Sequence, residues 1–259
     1  MQTGDNEMFK GFVISVAVLV ATGTASAQQW QRLYEPISDG PRPCRLMKPI
    51  NFDDSQKYPV ILSLHGAGGK GSDNRKQLKV WNGQLAEKAV RTKFPCYVLA
   101  PQAAGLWNAQ DLKQIKDVIK RLPAVDMDRI YVLGHSMGGH GTYIFIQLDP
   151  KYFAAAAPSA GSGLKRTEEF IDPTKITKIP IWAFHGDKDG VCPISKDQQV
   201  FAAIKKLGGN MKFTTWAGDN HAVSGKFIPG AKNGTTQLSS NHCDKETDFL
   251  TWLFKQRRK

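Results

Sequence analysis

The pentapeptide Gly134-His135-Ser136-Met137-Gly138 constrains this chain more than any other segment. It follows the apolar run Ile130-Tyr131-Val132-Leu133 and precedes Gly139-His140-Gly141-Thr142-Tyr143-Ile144-Phe145-Ile146, which can begin a helix. Gly-x-Ser-x-Gly between a strand and a helix puts a serine on a turn tight enough to strain its own backbone. Side chains at the flanking positions would collide there, and Gly134 and Gly138 remove them. The helix leaving the turn aims its first N–H groups at the hydroxyl, so negative charge developing beside it is stabilised.

The rest of the chain reads as the scaffold such a turn needs. Near-continuously apolar strands are expected at Val60–Leu64, Cys96–Ala100, Ile130–Leu133, Ala154–Ala157, Ile179–Phe184 and Met211–Trp216. Helices are expected over Asn74–Val90, Asp111–Leu122, Asp197–Leu207 and Phe249–Phe254. Leu112, Ile115, Val118, Ile119 and Leu122 share one face of the second of these, which Pro123 ends. Apolar strands alternating with helices predict an α/β fold, a mostly parallel central sheet with helices on both faces. The stretch Ala222–Asp248 reads as irregular, a rim beside the site.

The first 27 residues read as a leader rather than as fold. Lys10 precedes the short apolar run Gly11–Ala21, and an Ala-x-Ala cleavage site ends at Ala27. The run is too short for a comfortable membrane span. A signal peptide over residues 1–27 leaves residues 28–259 as one domain, secreted or periplasmic, with no stable membrane insertion after cleavage. Of 259 residues, 35 are Lys or Arg and 23 Asp or Glu, a net charge of +12. Losing Lys10, Asp5 and Glu7 with the leader leaves 34 against 21, or +13. The basic residues are spread along the chain without an aromatic-interleaved stripe, which argues against nucleic-acid binding. Four cysteines, Cys44, Cys96, Cys192 and Cys243, allow three complete disulfide pairings, among them Cys192 with Cys243; buried free thiols are the equal alternative. No Cys-x-x-Cys pair suggests zinc.

A serine hydroxyl needs a base within reach, and the base needs an orienting carboxylate. In a parallel α/β sheet these groups collect at the carboxyl ends of strands. The strand ending at Phe184 runs into His185-Gly186-Asp187-Lys188-Asp189, which offers Asp187 for shaping the turn and Asp189, further out, for reaching a histidine. His221 follows the last strand, and Ser136, Asp189, His221 is the chain order expected of such a constellation. The other histidines fit less well: His65 and His185 abut glycines in turns, His135 flanks Ser136, His140 sits on the helix and His242 precedes Cys243. Backbone N–H groups of Met137 and of Ala67, in the loop His65-Gly66-Ala67-Gly68-Gly69, are candidates for an oxyanion hole, with Gly66 and Gly68 as alternatives to Ala67. Trp107 is a candidate pocket wall or a core residue.

Leu64-His65-Gly66-Ala67-Gly68, Gly134-His135-Ser136-Met137-Gly138-Gly139, His185-Gly186-Asp187-Lys188-Asp189 and Gly218-Asp219-Asn220-His221 occur in order with fitting gaps. In this the chain resembles the α/β-hydrolase superfamily, and within it secreted esterases of the phospholipase/carboxylesterase and polyhydroxybutyrate-depolymerase-like group, including predicted peptidases. The resemblance implies an α/β-hydrolase fold and a serine hydrolase with no metal or organic cofactor, acting on a small-molecule or polymer ester. It also favours Asp189 as the acid. Relatives often carry a bulky residue after the base histidine, where this chain has Ala222-Val223-Ser224-Gly225. A peptidase with the same triad and a non-catalytic polysaccharide-binding module are the competing expectations.

Overall fold

The computed structural model describes residue 1 and residues 29–37, 40–161 and 171–258. Apart from residue 1, the expected leader lies outside the described residues. Among them no helix is long and apolar enough to cross a membrane.

Among the described residues nine strands form one sheet in the order β1-β2-β4-β3-β5-β6-β7-β8-β9. They are β1 (Glu35–Ile37), β2 (Cys44–Met47), β3 (Tyr58–Leu64), β4 (Tyr97–Pro101), β5 (Val125–His135), β6 (Ala155–Ser159), β7 (Ile181–Gly186), β8 (Met211–Trp216) and β9 (Gly234–Leu238). The six strands from β4 through β3, β5, β6 and β7 to β8 run parallel. Antiparallel pairs close the two ends, β1 and β2 on β4 and β9 on β8. The expected mostly parallel sheet is present.

Alternation along the strands sorts the apolar residues into two cores. Val60, Leu62 and Leu64 of β3 face one way with Ile130 and Val132 of β5. Ile61 of β3 and Tyr131 and Leu133 of β5 face the other. The first core is covered by α3 (Ala109–Arg121), α4 (Met137–Leu148) and α6 (Ile194–Lys206), the second by α1 (Val80–Leu85) and α7 (Phe249–Lys255). Two short helices, α2 (Lys88–Lys93) and α5 (Pro173–Ile176), complete the order. Burial on both faces explains why the central strands read as apolar runs rather than as alternation.

Local chemistry sets the helix limits. The Asn108 side chain accepts from the N–H groups of Gln110 and Asp111, while Asp111 accepts from the Asn108 N–H, a capping box that starts α3. Such caps contribute on the order of 1 kcal/mol. Leu122, the residue before Pro123, is extended and ends the helix. The single helix expected over Asn74–Val90 is instead the pair α1 and α2. Asn74 has a positive φ of 52° and Lys79 is extended, so no helix passes through either, and Glu87 at ψ 134° separates the two segments. The stretch expected to be irregular holds β9, whose Thr236 hydroxyl meets that of Thr214 at 2.7 Å. Four of the five residues of β9 are exposed, so it lacks the apolar pattern of the inner strands.

Candidate active site

Ser136 stands where β5 ends and α4 begins, with φ 59° and ψ −122°. L residues rarely adopt such a backbone, which costs on the order of 1–3 kcal/mol. The surroundings hold it there: the Ser136 N–H donates to the Ser159 carbonyl at 2.8 Å, and the His140 N–H donates to the Ser136 carbonyl at 2.9 Å. A methyl group added at Gly138 would lie 1.9 Å from the Leu64 carbonyl oxygen, and one at Gly134 would lie 2.5 Å from that of Gly138. The two glycines let α4 approach β3 at van der Waals distance.

The loop after β7 and the loop after β8 meet beside this turn. The Asp187 N–H donates to the Trp216 carbonyl at 3.1 Å and the Lys188 N–H to the Asp219 carbonyl at 2.8 Å. Asp187 itself accepts the Gly218 N–H at 2.7 Å, so of the two aspartates it ties the loops together. Asp189 is the one that reaches His221. His221 Nδ1 lies 2.7 Å from Asp189 Oδ2, and His221 Nε2 lies 2.9 Å from Ser136 Oγ. With a carboxylate at Nδ1, the proton sits on that nitrogen, and Nε2 accepts from the serine hydroxyl. The arrangement can move the Ser136 proton onto His221 while Asp189 faces the resulting positive charge.

Asp189 is held ionised. Burial works against its charge, but His221 and the N–H groups of Cys192 and Val191, each 2.8 Å from Oδ1, outweigh it and lower the pKa below the usual carboxylate value. The loop of His221 is braced at its base by an ion pair between Lys226 and Asp219. Val223, in the segment lacking a bulky residue after His221, is buried.

The first N–H groups of a helix have no acceptor within it. Met137 is the first residue of α4, and Ala67 opens a 3-10 turn, Ala67–Gly69, after β3. A methyl group on Gly66 would lie 3.4 Å from Ser136 Cβ and 3.9 Å from its Oγ, which places that loop against the serine. His65 anchors the loop from beneath: its Nδ1–H donates to the Gly66 carbonyl at 2.7 Å and its Nε2 accepts the Ala103 N–H at 2.9 Å. Burial pushes its pKa down to about 4, so it serves as a neutral strut.

Trp107 is 2% exposed, and its indole N–H donates to the His65 carbonyl at 3.2 Å while the ring packs on His65 and Phe145. It braces the turn from the core and does not wall a pocket. All four cysteines are free and buried. The Cys192–Cys243 pairing is not made: both thiols are free, and Cys243 donates to the Met211 carbonyl at 3.4 Å. His135 faces His221, with ring centroids 4.9 Å apart, and burial with the neighbouring His221 drives its pKa down to about 3. Burial likewise pushes His140 down to about 4, and His242 is exposed. Among the described residues no group of three His, Cys, Asp or Glu converges as a metal cage would.

Sequence reasoning passed over one cluster at the site. His185, taken as a turn residue, is buried with its Nδ1 2.5 Å from Asp197 Oδ2 and its Nε2 3.1 Å from Asp189 Oδ2. Asp197, Val200, Phe201 and Ile204 form the buried face of α6. A carboxylate at a core position of an amphipathic helix requires a buried donor, and that spacing was the available signal.

Residues 101–247 match the dienelactone hydrolase family. The solved structure of a thermostable esterase superposes with a TM-score of 0.69 and 26% identity, covering 89% of this chain and 64% of that one. An "Uncharacterized secreted protein" of Arthroderma benhamiae is 26% identical over 68% of this chain. "Uncharacterized peptidase YuxL" of Bacillus subtilis is 23% identical over 69% of this chain. The chain spans only 22% and 33% of those two relatives. "Probable carboxylesterase Os04g0669600" of Oryza sativa subsp. japonica is 23% identical over 64% of this chain and 82% of its own length.

Proposed function

Since the chain belongs to the dienelactone hydrolase family of α/β hydrolases, we propose that it is a serine hydrolase that cleaves carboxylic esters through an acyl-enzyme. The observation that carries this reading is the hydrogen-bonded line from Ser136 through His221 to Asp189, with separations of 2.9 and 2.7 Å, at a strained strand–helix turn. Ser136 Oγ attacks the acyl carbon as its proton passes to His221 Nε2. The N–H groups of Met137 and Ala67 take the oxyanion; losing one such donor costs about 2.7–4 kcal/mol. The C–O bond breaks and the alcohol leaves with the proton held by His221. Water then adds to the acyl carbon by the same proton route and releases the carboxylic acid, restoring Ser136.

The ester reading draws on the thermostable esterase, which matches most of this chain. A peptidase with the same triad is the second reading, favoured by the likeness to the Bacillus protein. Export is part of the proposal: residues 1–27 direct secretion and are removed, leaving 28–259 as one catalytic domain. The test is a panel of p-nitrophenyl esters beside peptide p-nitroanilides, with wild type and Ser136→Ala. Ester turnover lost in Ser136→Ala supports the reading. Amide cleavage with negligible ester turnover overturns it in favour of the peptidase, and Ser136→Ala retaining full ester turnover overturns the assignment of the nucleophile.

A further inference from the structure

The carboxylate that faces His221 is shared. Asp189 Oδ2 also meets His185 Nε2, at 3.1 Å, and the same nitrogen lies 2.8 Å from the Cys192 backbone carbonyl. The other nitrogen, Nδ1, lies 2.5 Å from Asp197 Oδ2. A carbonyl oxygen and an ionised carboxylate only accept hydrogen bonds. Both ring nitrogens of His185 therefore face acceptors, and a neutral imidazole, with one N–H, can satisfy only one of them. Asp197 is itself supplied with donors: its Oδ1 accepts the Tyr143 hydroxyl at 2.9 Å. Asp189 accepts from four directions, His221 and His185 at Oδ2 and the Val191 and Cys192 N–H groups at Oδ1. The side chains of His185, Asp189 and Asp197 are all fully buried.

We propose that His185 is an imidazolium held by Asp197, and that this buried pair is a positioning device which aims the Asp189 carboxylate at His221. The proposal rests on the reading of Ser136, His221 and Asp189 as a triad. It extends the line of contacts to Asp197–His185–Asp189–His221–Ser136 and ties the site to α6, α4 and β7. Two buried carboxylates with one cation between them leave a single net negative charge to face His221, where two unpaired carboxylates would repel one another. Burial opposes the charge on His185, but Asp197, the Cys192 carbonyl and Asp189 together raise its pKa above the ordinary histidine value. The titratable groups around it are Asp197 from α6, Asp189 and Cys192 from the following loop, Tyr143 from α4 through Asp197, and His135 and His221 beyond Asp189.

The sign of the effect on His221 follows from distance. His185 touches Asp189 directly, whereas Asp197 lies on the far side of the His185 ring, so the His185 cation is the nearer of the two charges to the carboxylate that faces His221. Asp197→Asn keeps the side-chain shape and a hydrogen bond to Nδ1, but leaves His185 neutral, with its remaining proton on Nε2. The charge lost from His185 and the charge lost from Asp197 cancel at long range, and what remains at the site is the loss of the nearer, positive charge beside Asp189.

Two measurements test this. Nitrogen-15 NMR of the ring nitrogens in the whole wild-type protein, with the resonance assigned by comparison with His185→Gln, is expected to show both His185 nitrogens protonated from pH 5 to 8. A singly protonated His185 at pH 7 overturns the proposal. In Asp197→Asn, the acid limb of kcat/KM for p-nitrophenyl acetate is expected to move up by about one pH unit with KM little changed. A uniform loss of activity with no movement of that limb is what a merely structural role gives, and overturns the proposal. Should Asp197→Asn not fold, the wild-type spectrum alone decides. Failure of the triad reading is seen separately, as retained activity in Ser136→Ala, which leaves the His185 spectrum untouched.

Discussion

Replacing Asp189 with asparagine changes one atom and reverses the proton on His221. The amide nitrogen has two seats. In the Oδ1 seat it would face the N–H groups of Val191 and Cys192, both at 2.8 Å, two donor–donor contacts. In the Oδ2 seat it meets His221 Nδ1 at 2.7 Å and His185 Nε2 at 3.1 Å. His221 can answer by becoming an acceptor, and His185 keeps its Cys192 carbonyl at 2.8 Å, so the second seat is favoured. His221 then accepts at Nδ1 and carries its proton on Nε2, pointing at Ser136 Oγ. A base with its lone pair turned away cannot take the serine proton. The loss expected for an inverted tautomer is about 10⁴-fold in kcat, or roughly 5.4 kcal/mol of barrier at 1.36 kcal/mol per tenfold. The assay is p-nitrophenyl acetate hydrolysis at pH 7–8 on a variant shown by circular dichroism and urea unfolding to be folded. Asp187→Asn is the control: among the described residues the Asp187 side chain accepts only the Gly218 N–H, a bond the amide oxygen can keep, and activity within about threefold of wild type is expected. A folded Asp189→Asn retaining activity within tenfold of wild type would refute the reasoning.

Gly138→Ala is expected to damage stability and turnover together. The added methyl would fall 1.5 Å short of the 3.4 Å at which ordinary contact with the Leu64 carbonyl begins, and α4 must retreat with Ser136 on it. A loss of more than about 3 kcal/mol in urea unfolding is expected, with a fall of about 10²-fold in kcat/KM; a variant as stable and active as wild type would contradict this. Stability is also expected to fall between pH 6.5 and 5. Burial depresses His65 and His140 to about 4, and burial with His221 depresses His135 to about 3, so in this window the unfolded chain binds more protons than the folded one. Each contributes a loss of up to about 1.4 kcal/mol per pH unit; His185, whose pKa is raised, acts in the opposite sense but above this window; a urea midpoint that is flat from pH 6.5 to 5 would count against buried neutral histidines. Finally, Ellman's reagent is expected to find no reactive thiol in the native protein and four in urea, because all four cysteines are free and buried and burial raises Cys44 and Cys96 to about 12 and Cys192 to about 11. Fewer than four thiols after unfolding would indicate a disulfide.

The inner sheet was legible because parallel strands covered on both faces are apolar at nearly every position, as in β3, buried from Tyr58 to Leu64. The elements that escaped lack that signature. β9 lies at the sheet edge with Thr235, Thr236 and Gln237 in the open, and β1 has two of its three residues exposed. The helix expected from Asn74 does not form there: the apolar spacing carries no mark of the left-handed backbone at Asn74. At the site, the positions of Ser136, Asp189 and His221 could be read because each follows the end of a strand, and in a parallel sheet those ends lie together. Trp107 could not be placed: an aromatic side chain beside a loop has the same letters whether it faces the substrate or the core. His185 and Asp197 were hidden for a related reason. A histidine before glycine looks like a turn residue until the buried carboxylate twelve positions later is seen to touch it.

In the proposed reaction Ser136 becomes acylated, and His221 drives this step. Rapid acid quenching of the protein mixed with p-nitrophenyl acetate, followed by peptide mass mapping, measures it directly. An acetyl group is expected on the peptide containing Ser136 in wild type, and none there in His221→Ala on the same timescale. Continued hydrolysis with the acetyl group on another residue, or with equal labelling of Ser136 when His221 is absent, would contradict it.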